Sequence, residues 1–470
     1  MTLLDMDIDL MGAQPALFKL YTQLAFIFPL SESTSHAQVT SIVTSGLEKL
    51  AQRFPWVAGQ VVNTNPDDPK AAPHYKIQPY QPIPQLIVRD YTSDTEIPSL
   101  SQMREREFPM KMLGEHVWAP CPTLAAVGFD PKKSSGNSDQ PAPVMLTQVS
   151  FIRGGLVLCV NMQHNVCDMM GQAAVLGWLS KACRGEQFTE EEIKLGNMSR
   201  TDIVPLIKDD GWMPGPELQN QLFPSLPAVL KEPDTVESAA PSKCTWMYFD
   251  FPASSLESLK DVAMATLPPG FAGFVSTDDA LSAFIFFSIL HARQSRLRPD
   301  ASVTLARAVD ARRYLNVHPS YPGILQNMAY TSYSLDSLLS TPLGHIAARM
   351  RQAVDPKTSN VAYRTRSLVT FLAQSPDNAA KTSPTATLDM SVDIALSSWT
   401  KVPAYEWDFG FGLGPPASVR RPRFVPVESL MYLMPKSQQG SIAVAMCLRE
   451  DDLTCLMRDE EWKRMARYVG

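Results

Sequence analysis

The sequence lacks the features that define several large classes of protein. It has no long basic run, and its formal net charge of −6 argues against a nucleic acid as partner. The most apolar stretch, residues 280–290, is well short of the ~20 residues that a membrane span needs. No repeat with a period of about 20–50 residues is visible, which argues against a solenoid or a propeller.

Paired cysteine motifs are absent too. The seven cysteines include no CxxC pair, and an odd number at wide spacing is typical of reduced thiols in a cytosolic protein. The N-terminal stretch MTLLDMDIDLMG is acidic and has no basic segment, so it does not resemble a signal peptide. We therefore expect a cytoplasmic protein.

What is present indicates a large globular chain. Hydrophobic residues make up 45% of the 470 positions and charged residues 19%, enough for a sizeable core. Segments with helical and with strand-like patterns are interleaved, which predicts an α/β fold. Residues 191–243 are rich in Pro, Asp, Glu and Ser, and we interpret them as a crossover between an N-terminal domain, 1–190, and a C-terminal domain, 244–470.

The first candidate site is the stretch NMQHNVCDMMG, which follows a predicted hairpin. The segments 144–152 and 156–164 are typical of strands, and an Arg-Gly-Gly turn joins them. Residues 171–183 carry apolar side chains at helical spacing. His164 is therefore expected where a strand ends, and Asp168 where a helix begins.

Four interpretations of this H-x-x-x-D spacing remain open from the residues alone. It could be an ordinary turn, or a metal site with His164, Cys167 and Asp168 as ligands, although no further ligand cluster is nearby. Cys167 could be a nucleophile with His164 as its base, although structural cysteines are commoner. His164 could also be a general base that acts without a covalent intermediate.

The second candidate site is YEWDFGFGLGPP, residues 405–416. Its DFG triplet is shared with protein kinases, but no H-R-D loop and no kinase glycine-rich loop precede it. Its glycines also do not form a dinucleotide fingerprint, because Pro415 and Pro416 stand where a helix would have to begin.

Taken together and in this order, the two stretches resemble the H-x-x-x-D and D-F-G-W-G motifs of the BAHD acyltransferase superfamily. The resemblance is greatest to the fungal trichothecene 3-O-acetyltransferases, and it extends over nearly the whole chain. The stretches that carry it are PWVAGQV (55–61), GGLVLCVNMQH (154–164), STDDALSAFI (276–285), YPGILQNM (321–328), ALSSWTKV (395–402) and VRRPRFVPVESLMYLMPK (419–436).

The chain departs from the superfamily pattern at two positions. Met169 stands where a glycine usually follows H-x-x-x-D, and Gly171 comes two residues later. Phe411 replaces the tryptophan of the second motif and keeps an aromatic ring there. Gln163 also separates the chain from the related chloramphenicol acetyltransferases, which have a histidine at that place.

The resemblance implies two similar-sized domains of the chloramphenicol-acetyltransferase type, with mixed sheets and a channel at their interface. It also implies that residues 385–412 join the N-terminal domain. Acetyl-CoA would be the co-substrate, and no metal would be needed. The acceptor would be a hydroxyl of a fungal secondary metabolite, first of all the C3 hydroxyl of a trichothecene-type sesquiterpenoid. Alternatives are O- or N-acyl transfer to another metabolite, or a non-catalytic binding relative; we expect a monomer.

Within this resemblance, residues take distinct roles. His164 would remove the proton of the alcohol, because a neutral imidazole is available near pH 7. Trp399 and Ser398 would donate hydrogen bonds to the oxyanion of the tetrahedral intermediate. Asp168 would form an ion pair with Arg312 and would not touch the substrate.

The remaining assignments concern structure and CoA. Asp408 of the second motif would be structural. Ser276 and Thr277 at a helix start, together with Arg313, would contact the phosphates of CoA. Cys167 would be a small packing residue, since neither Val166 nor Asp168 beside it supplies a positive charge that favours a thiolate.

Overall fold

A computed structural model describes residues 4–31, 34–65, 74–126, 140–209, 211–224 and 243–470. The described strands are β1 (Met6–Asp7), β2 (Tyr21–Pro29), β3 (Gln60–Asn63), β4 (Tyr75–Gln78), β5 (Gln85–Asp90), β6 (Met145–Ile152), β7 (Gly155–Gln163), β8 (Cys244–Phe251), β9 (Ser302–Asp310), β10 (Gln326–Ser334), β11 (Ile394–Ser398), β12 (Ser418–Arg420), β13 (Leu430–Leu433), β14 (Ile442–Arg449) and β15 (Arg467–Tyr468). The described helices are α1 (His36–Arg53), α2 (Leu100–Glu105), α3 (Glu115–Trp118), α4 (Met169–Cys183), α5 (Glu190–Gly196), α6 (Ala253–Ala265), α7 (Thr277–Arg293), α8 (Leu335–Ser340), α9 (Leu343–Gln352), α10 (Val361–Gln374), α11 (Glu450–Leu456) and α12 (Glu460–Met465).

Two large mixed sheets organise the chain. The N-terminal sheet has five strands in the order β12-β2-β7-β6-β5, and the C-terminal sheet has seven in the order β10-β9-β11-β13-β14-β8-β15. Each sheet includes parallel and antiparallel pairs: β5 runs parallel to β6, and β11 runs parallel to both β9 and β13. The α/β class and the mixed sheets predicted from the sequence are therefore confirmed.

The hairpin that carries the first motif forms as predicted. β6 and β7 pair antiparallel along their whole length, and both are buried on both faces. Gly154 in the turn has φ +75°, a conformation that glycine adopts without steric cost. Helix α4 begins two places earlier than the pattern suggested, because Asp168 caps it.

Helices cover each sheet and close its core. α1 and α4 pack against each other beside the N-terminal sheet, and α6, α7 and α9 pack together beside the C-terminal sheet. α7 is buried along most of its length, as its apolar run predicts. α6 begins directly after Pro252, and Ser254 and Ser255 lie in its first turn.

The chain crosses between the sheets more than once. β11 belongs to the C-terminal sheet, whereas β12 pairs with β2 of the N-terminal sheet. Residues 394–398 therefore belong to the C-terminal sheet. This differs from the expectation that residues 385–412 join the N-terminal domain. The predicted boundaries at 190 and 243 stay predictions, since residues 225–242 of the crossover lie outside the described residues. In the described part of the chain, no helix has the length and apolarity needed to cross a membrane.

Candidate active site

His164 stands immediately after β7 and faces a cavity between the two halves of the chain. Its backbone amide donates to the carbonyl of Leu20 at 2.7 Å, which fixes the turn. The cavity has a volume of about 320 Å³. Residues of both halves line it, among them Leu20, His164, Met169, Ile324, Ser397 and Trp399. The cavity thus lies between the two halves, and the predicted channel stays a prediction.

The surroundings of His164 favour the neutral imidazole. Burial is the main cause that lowers its pKa below the ordinary 6.5, and the positive charge of Arg421 acts in the same direction. Asp168 and nearby backbone oppose the shift without reversing it. The Nδ1 atom is buried and has no hydrogen-bond partner in the structure. A neutral ring at neutral pH is what a general base requires.

Asp168 is held away from the cavity by a buried ion pair. Its two carboxylate oxygens accept from Nη1 and Nη2 of Arg312, each at 2.9 Å, and the two side chains are almost fully buried. The amides of Gly171, at 2.8 Å, and Leu325, at 2.7 Å, also donate to this carboxylate. The predicted pairing with Arg312 is present, and it leaves Asp168 no free oxygen for a metal or a substrate.

Gly171 explains how the turn tolerates Met169 in the place of the usual glycine. A Cβ atom on residue 171 would lie 2.2 Å from the carbonyl oxygen of Pro322, so only glycine fits there. Met169 is instead the first residue of α4 and lines the cavity. In this chain the close approach to Pro322 therefore falls at Gly171, and residue 169 has room for a side chain.

A second buried ion pair supports the same loop from the other side. Arg200 donates through Nη1 to the carbonyl of Val166 at 2.6 Å and to Asp9 at 3.3 Å. Its guanidinium also lies 4.7 Å from the ring centre of Trp56. Asp9 accepts from the hydroxyl of Tyr321, which belongs to the C-terminal half. The loop that carries His164 is thus tied to three separate parts of the chain, a link that local sequence patterns do not reveal.

Cys167 is fully buried in the core of the N-terminal half. Burial raises the pKa of its thiol to about 12, so the thiolate is scarce at neutral pH. This environment is typical of a packing residue. In the part of the chain that the structure describes, no group of three or more His, Cys, Asp or Glu residues could hold a metal ion.

The two serines at the end of β11 and the tryptophan that follows them do not all face the cavity. Alternate residues of a strand point to opposite faces, and Ser397 and Trp399 line the cavity. Ser398 turns its hydroxyl the other way, where it donates to Asp278. This orientation does not fit the predicted role of Ser398 as an oxyanion donor. Ser397, on the cavity side, accepts from the indole Nε1 of Trp399 at 3.0 Å.

The DFGFG loop, Asp408–Gly412, anchors itself on the N-terminal half. The Asp408 carboxylate accepts from its own loop at the amide of Gly410, at 2.8 Å, and its backbone carbonyl accepts from Ser180 of α4 at 2.8 Å. Gly410 has φ +74°, and a Cβ there would lie 2.9 Å from a carbonyl oxygen of α4. Phe411 packs edge-to-face on Phe28 of β2 with ring centres 5.4 Å apart. These contacts agree with a structural role for Asp408.

Ser276 and Arg313, two of the three residues expected to contact CoA, already form hydrogen bonds within the protein. The Ser276 hydroxyl caps α7, donates to Asp279 at 2.6 Å and accepts from Arg351 at 2.7 Å. Arg313 donates to the carbonyl of Val354 at 3.0 Å. Thr277 is the first residue of α7. The expected contacts of Ser276, Thr277 and Arg313 with the phosphates of CoA stay a prediction.

Arg421 is a cavity residue that the sequence patterns missed. It follows β12, lies against aromatic rings and is 2% exposed. An arginine in a basic stretch such as RRPR is most often a surface residue, so only the three-dimensional packing distinguishes it from its neighbour Arg423, which is exposed.

A histidine on the wall of a cavity lined by both halves, with a DFG-type loop anchored on the N-terminal half, is the arrangement expected of an acyltransferase of the BAHD type. Comparisons agree with this class. The family model described as Transferase family matches residues 113–462, and the one described as trichothecene 3-O-acetyltransferase-like N-terminal domain matches residues 20–183. The chain belongs to this transferase family.

Individual relatives cover nearly the whole chain. The trichothecene 3-O-acetyltransferase TRI101 of Fusarium sporotrichioides is 42% identical over 99% of this chain and 97% of its own length. The O-acetyltransferase dmxR13 of a Cryptosporiopsis species is 41% identical over 99% of this chain and 98% of its own. The crystal structure of TRI101 from F. sporotrichioides with coenzyme A and T-2 matches with a TM-score of 0.89 over 99% of this chain and 100% of that one.

Proposed function

We propose that this protein transfers the acetyl group of acetyl-CoA to a hydroxyl of a fungal secondary metabolite, first of all the C3 hydroxyl of a trichothecene-type sesquiterpenoid. The observation that carries the proposal is the position of His164 on the wall of a cavity lined by both halves of the chain. The similarity to relatives named as O-acetyltransferases, one of them crystallised with coenzyme A and T-2, supports the choice of donor and acceptor.

His164 acts as the general base. The buried, neutral imidazole takes the proton from the acceptor hydroxyl as its oxygen attacks the thioester carbonyl. A positioned base of this kind contributes on the order of 10²–10⁴ in rate. The same imidazolium then returns the proton to the departing thiolate of CoA. The acetyl group passes directly from CoA to the acceptor, and no covalent enzyme intermediate forms.

Ser397 and Trp399 act on the oxyanion of the tetrahedral intermediate. The Ser397 hydroxyl accepts from Trp399 Nε1, which leaves its own hydrogen free to donate into the cavity. Loss of one such donor typically costs about 3 kcal/mol of transition-state stabilisation. Asp168 and Asp408 act as positioning residues through their contacts with the two anchored loops.

A direct assay tests the proposal. Purified full-length protein is incubated with acetyl-CoA and T-2, and the products are followed by mass spectrometry and by release of the CoA thiol. We expect one acetyl group on T-2 and an equal amount of CoA, with both formed at least about a hundredfold more slowly by the His164→Ala variant. Absence of transfer from the wild-type protein to T-2 would contradict the trichothecene assignment.

The second candidate is O-acetyl transfer to a different fungal metabolite, because the relative dmxR13 is named as an O-acetyltransferase with no acceptor stated. A panel of fungal polyketide and terpenoid alcohols in the same assay separates the two. Higher kcat/KM for a member of that panel than for T-2 would assign the protein to that metabolite class.

A further inference from the structure

The guanidinium of Arg421 lies in the cavity, and its only part in the chemistry proposed above is the positive charge that helps to keep His164 neutral. It lines the same cavity as His164. Its carbon lies 4.5 Å from the ring centre of Phe424, 4.6 Å from that of Tyr432 and 5.7 Å from that of Trp399. Aromatic rings attract the cation through their faces. They offer no acceptor to its N–H groups.

The N–H groups of Arg421 are poorly satisfied by the protein. Nε is buried and has no hydrogen-bond partner, and Nη2 reaches only the hydroxyl of Thr123, at 3.4 Å. Among the described residues, no carboxylate forms an ion pair with this guanidinium. The buried carboxylate of Glu115 instead accepts from the amide of Thr123 at 2.6 Å and from Gln23 at 2.9 Å.

The unsatisfied N–H groups of Arg421 carry a free-energy cost unless a ligand accepts hydrogen bonds from them. An arginine stays protonated at any physiological pH, and a buried cation without an acceptor is strongly disfavoured. Much of the cavity wall is apolar and provides no acceptor, including Leu20, Met169, Ile324, Leu368 and Val427. When a ligand displaces the solvent from the cavity, the ligand itself must therefore supply the missing acceptor.

We propose that Arg421 is a specificity-determining residue that donates a hydrogen bond to an oxygen of the acceptor alcohol other than the hydroxyl that is acetylated. The preferred acceptors are then alcohols with a second oxygen function, such as an ether, an ester or a ketone, on a rigid apolar skeleton. This inference rests on the proposed function. A site built to bond a substrate oxygen rejects the analogue that lacks it far more strongly than an apolar pocket rejects a missing methylene.

A double-mutant cycle tests the inference. The acceptors are T-2 and a set of T-2 analogues, each without one oxygen function other than the acetylated hydroxyl. The proteins are the full-length wild type, Arg421→Met, and Arg421→Lys, which keeps the charge but not the fork of donors. The backbone of Arg421 pairs with the Tyr248 hydroxyl at 2.8 Å, and this contact does not depend on the side chain. Circular dichroism and thermal melting check the fold of each variant.

We expect the wild-type protein to lose kcat/KM with only one of the analogues. Wild-type kcat/KM should fall on the order of 10- to 100-fold when the oxygen bonded by Arg421 is removed, because a donor is stranded. In Arg421→Met, T-2 and that analogue should become nearly equal substrates. If the Met variant does not fold, the result is decided by Arg421→Lys, in which the discrimination should be reduced. Arg423→Met, an exposed arginine two residues away, is the matched control and should keep the wild-type pattern.

Two other outcomes distinguish a failure of this inference from a failure of the proposed function. If the wild type acetylates T-2 but each folded Arg421 variant loses the same factor for every analogue, the inference is wrong and the proposed function stands. If the wild type acetylates none of these alcohols, the proposed function fails and this inference fails with it.

Discussion

The carboxylate of Asp168 and the guanidinium of Arg312 form two parallel hydrogen bonds of 2.9 Å at the junction of the two halves. Asp168 caps α4, and Arg312 begins the turn after β9, so each half of the chain contributes one partner. Arg312 donates further to the carbonyls of Tyr321, at 3.0 Å, and Gly323, at 2.8 Å. One buried pair thus fixes both the His164 loop and the segment opposite it.

We expect Asp168→Asn to lose stability and activity together. The substitution leaves the Arg312 cation buried without its carboxylate, which should reduce the free energy of unfolding by about 3–5 kcal/mol. Urea denaturation and kcat measure the two losses. Asp310→Asn is the control, since Asp310 also contacts Arg312, at 2.8 Å, but is partly exposed. Equal losses of unfolding free energy in the two variants would contradict the view that Asp168 is the main partner of Arg312.

His164→Ala should reduce kcat at least about a hundredfold, because the general base is lost. The fold should persist, since the only described anchor of His164 is its backbone amide bonded to Leu20. Steady-state CoA release with T-2 as acceptor measures the effect. His318→Ala, at an exposed position, is the matched control. Near-normal turnover by the His164 variant would refute the mechanism.

The pH dependence of kcat/KM should report the lowered pKa of His164. The base form exists above the pKa of the folded protein, and burial holds that pKa below 6.5. The rate should therefore be constant near neutral pH and fall as the pH drops through a value below 6.5. Initial rates between about pH 5 and 8 with T-2 give the profile. An inflection above 6.5 would show that the imidazolium is favoured instead.

Adjacent serines provide a test of the oxyanion site. Ser397→Ala should lower kcat on the order of 10²-fold, the usual effect of one lost donor, with little change in KM. Ser398→Ala should keep kcat within a few-fold, because its hydroxyl faces Asp278 on the opposite side of the strand. Parallel assays of the two variants decide the matter, and a larger kcat loss in Ser398→Ala would reverse the assignment.

Cys167→Ala should retain most activity. A thiol with a pKa of about 12 supplies almost no nucleophile at neutral pH. Both substrates must then be bound at once, so initial-rate lines at several fixed acetyl-CoA concentrations should intersect instead of running parallel. Mass spectrometry of the protein mixed with acetyl-CoA alone provides the decisive check: an acetylated Cys167 peptide would support a covalent mechanism.

Local patterns in the sequence predicted the strand-turn-helix unit around His164 well. β6, β7 and α4 form where alternation, a glycine turn and helical spacing place them, because their neighbours in sequence dominate their conformation.

The site residues that were missed depend on register and on distant packing. Two consecutive serines at the end of an apolar strand cannot be assigned to faces without the pairing of that strand, and β11 pairs with β9 and β13 from well separated parts of the chain. Arg421 meets its three aromatic rings only in the folded protein. The resemblance supplied the roles of His164 and Asp168, but it could not show which side chains complete the cavity.

The pairing of β12 with β2 has a consequence for synthesis on the ribosome. Ser418 aligns with Ile27, so the N-terminal sheet cannot acquire its last strand until nearly all of the chain has been made. Until then one edge of β2, with its unpaired amides and carbonyls, stays open to other chains. The nascent protein therefore has a long interval in which it can associate wrongly. Chaperone dependence during expression should be greater for this enzyme than for one whose first domain closes before its second is translated.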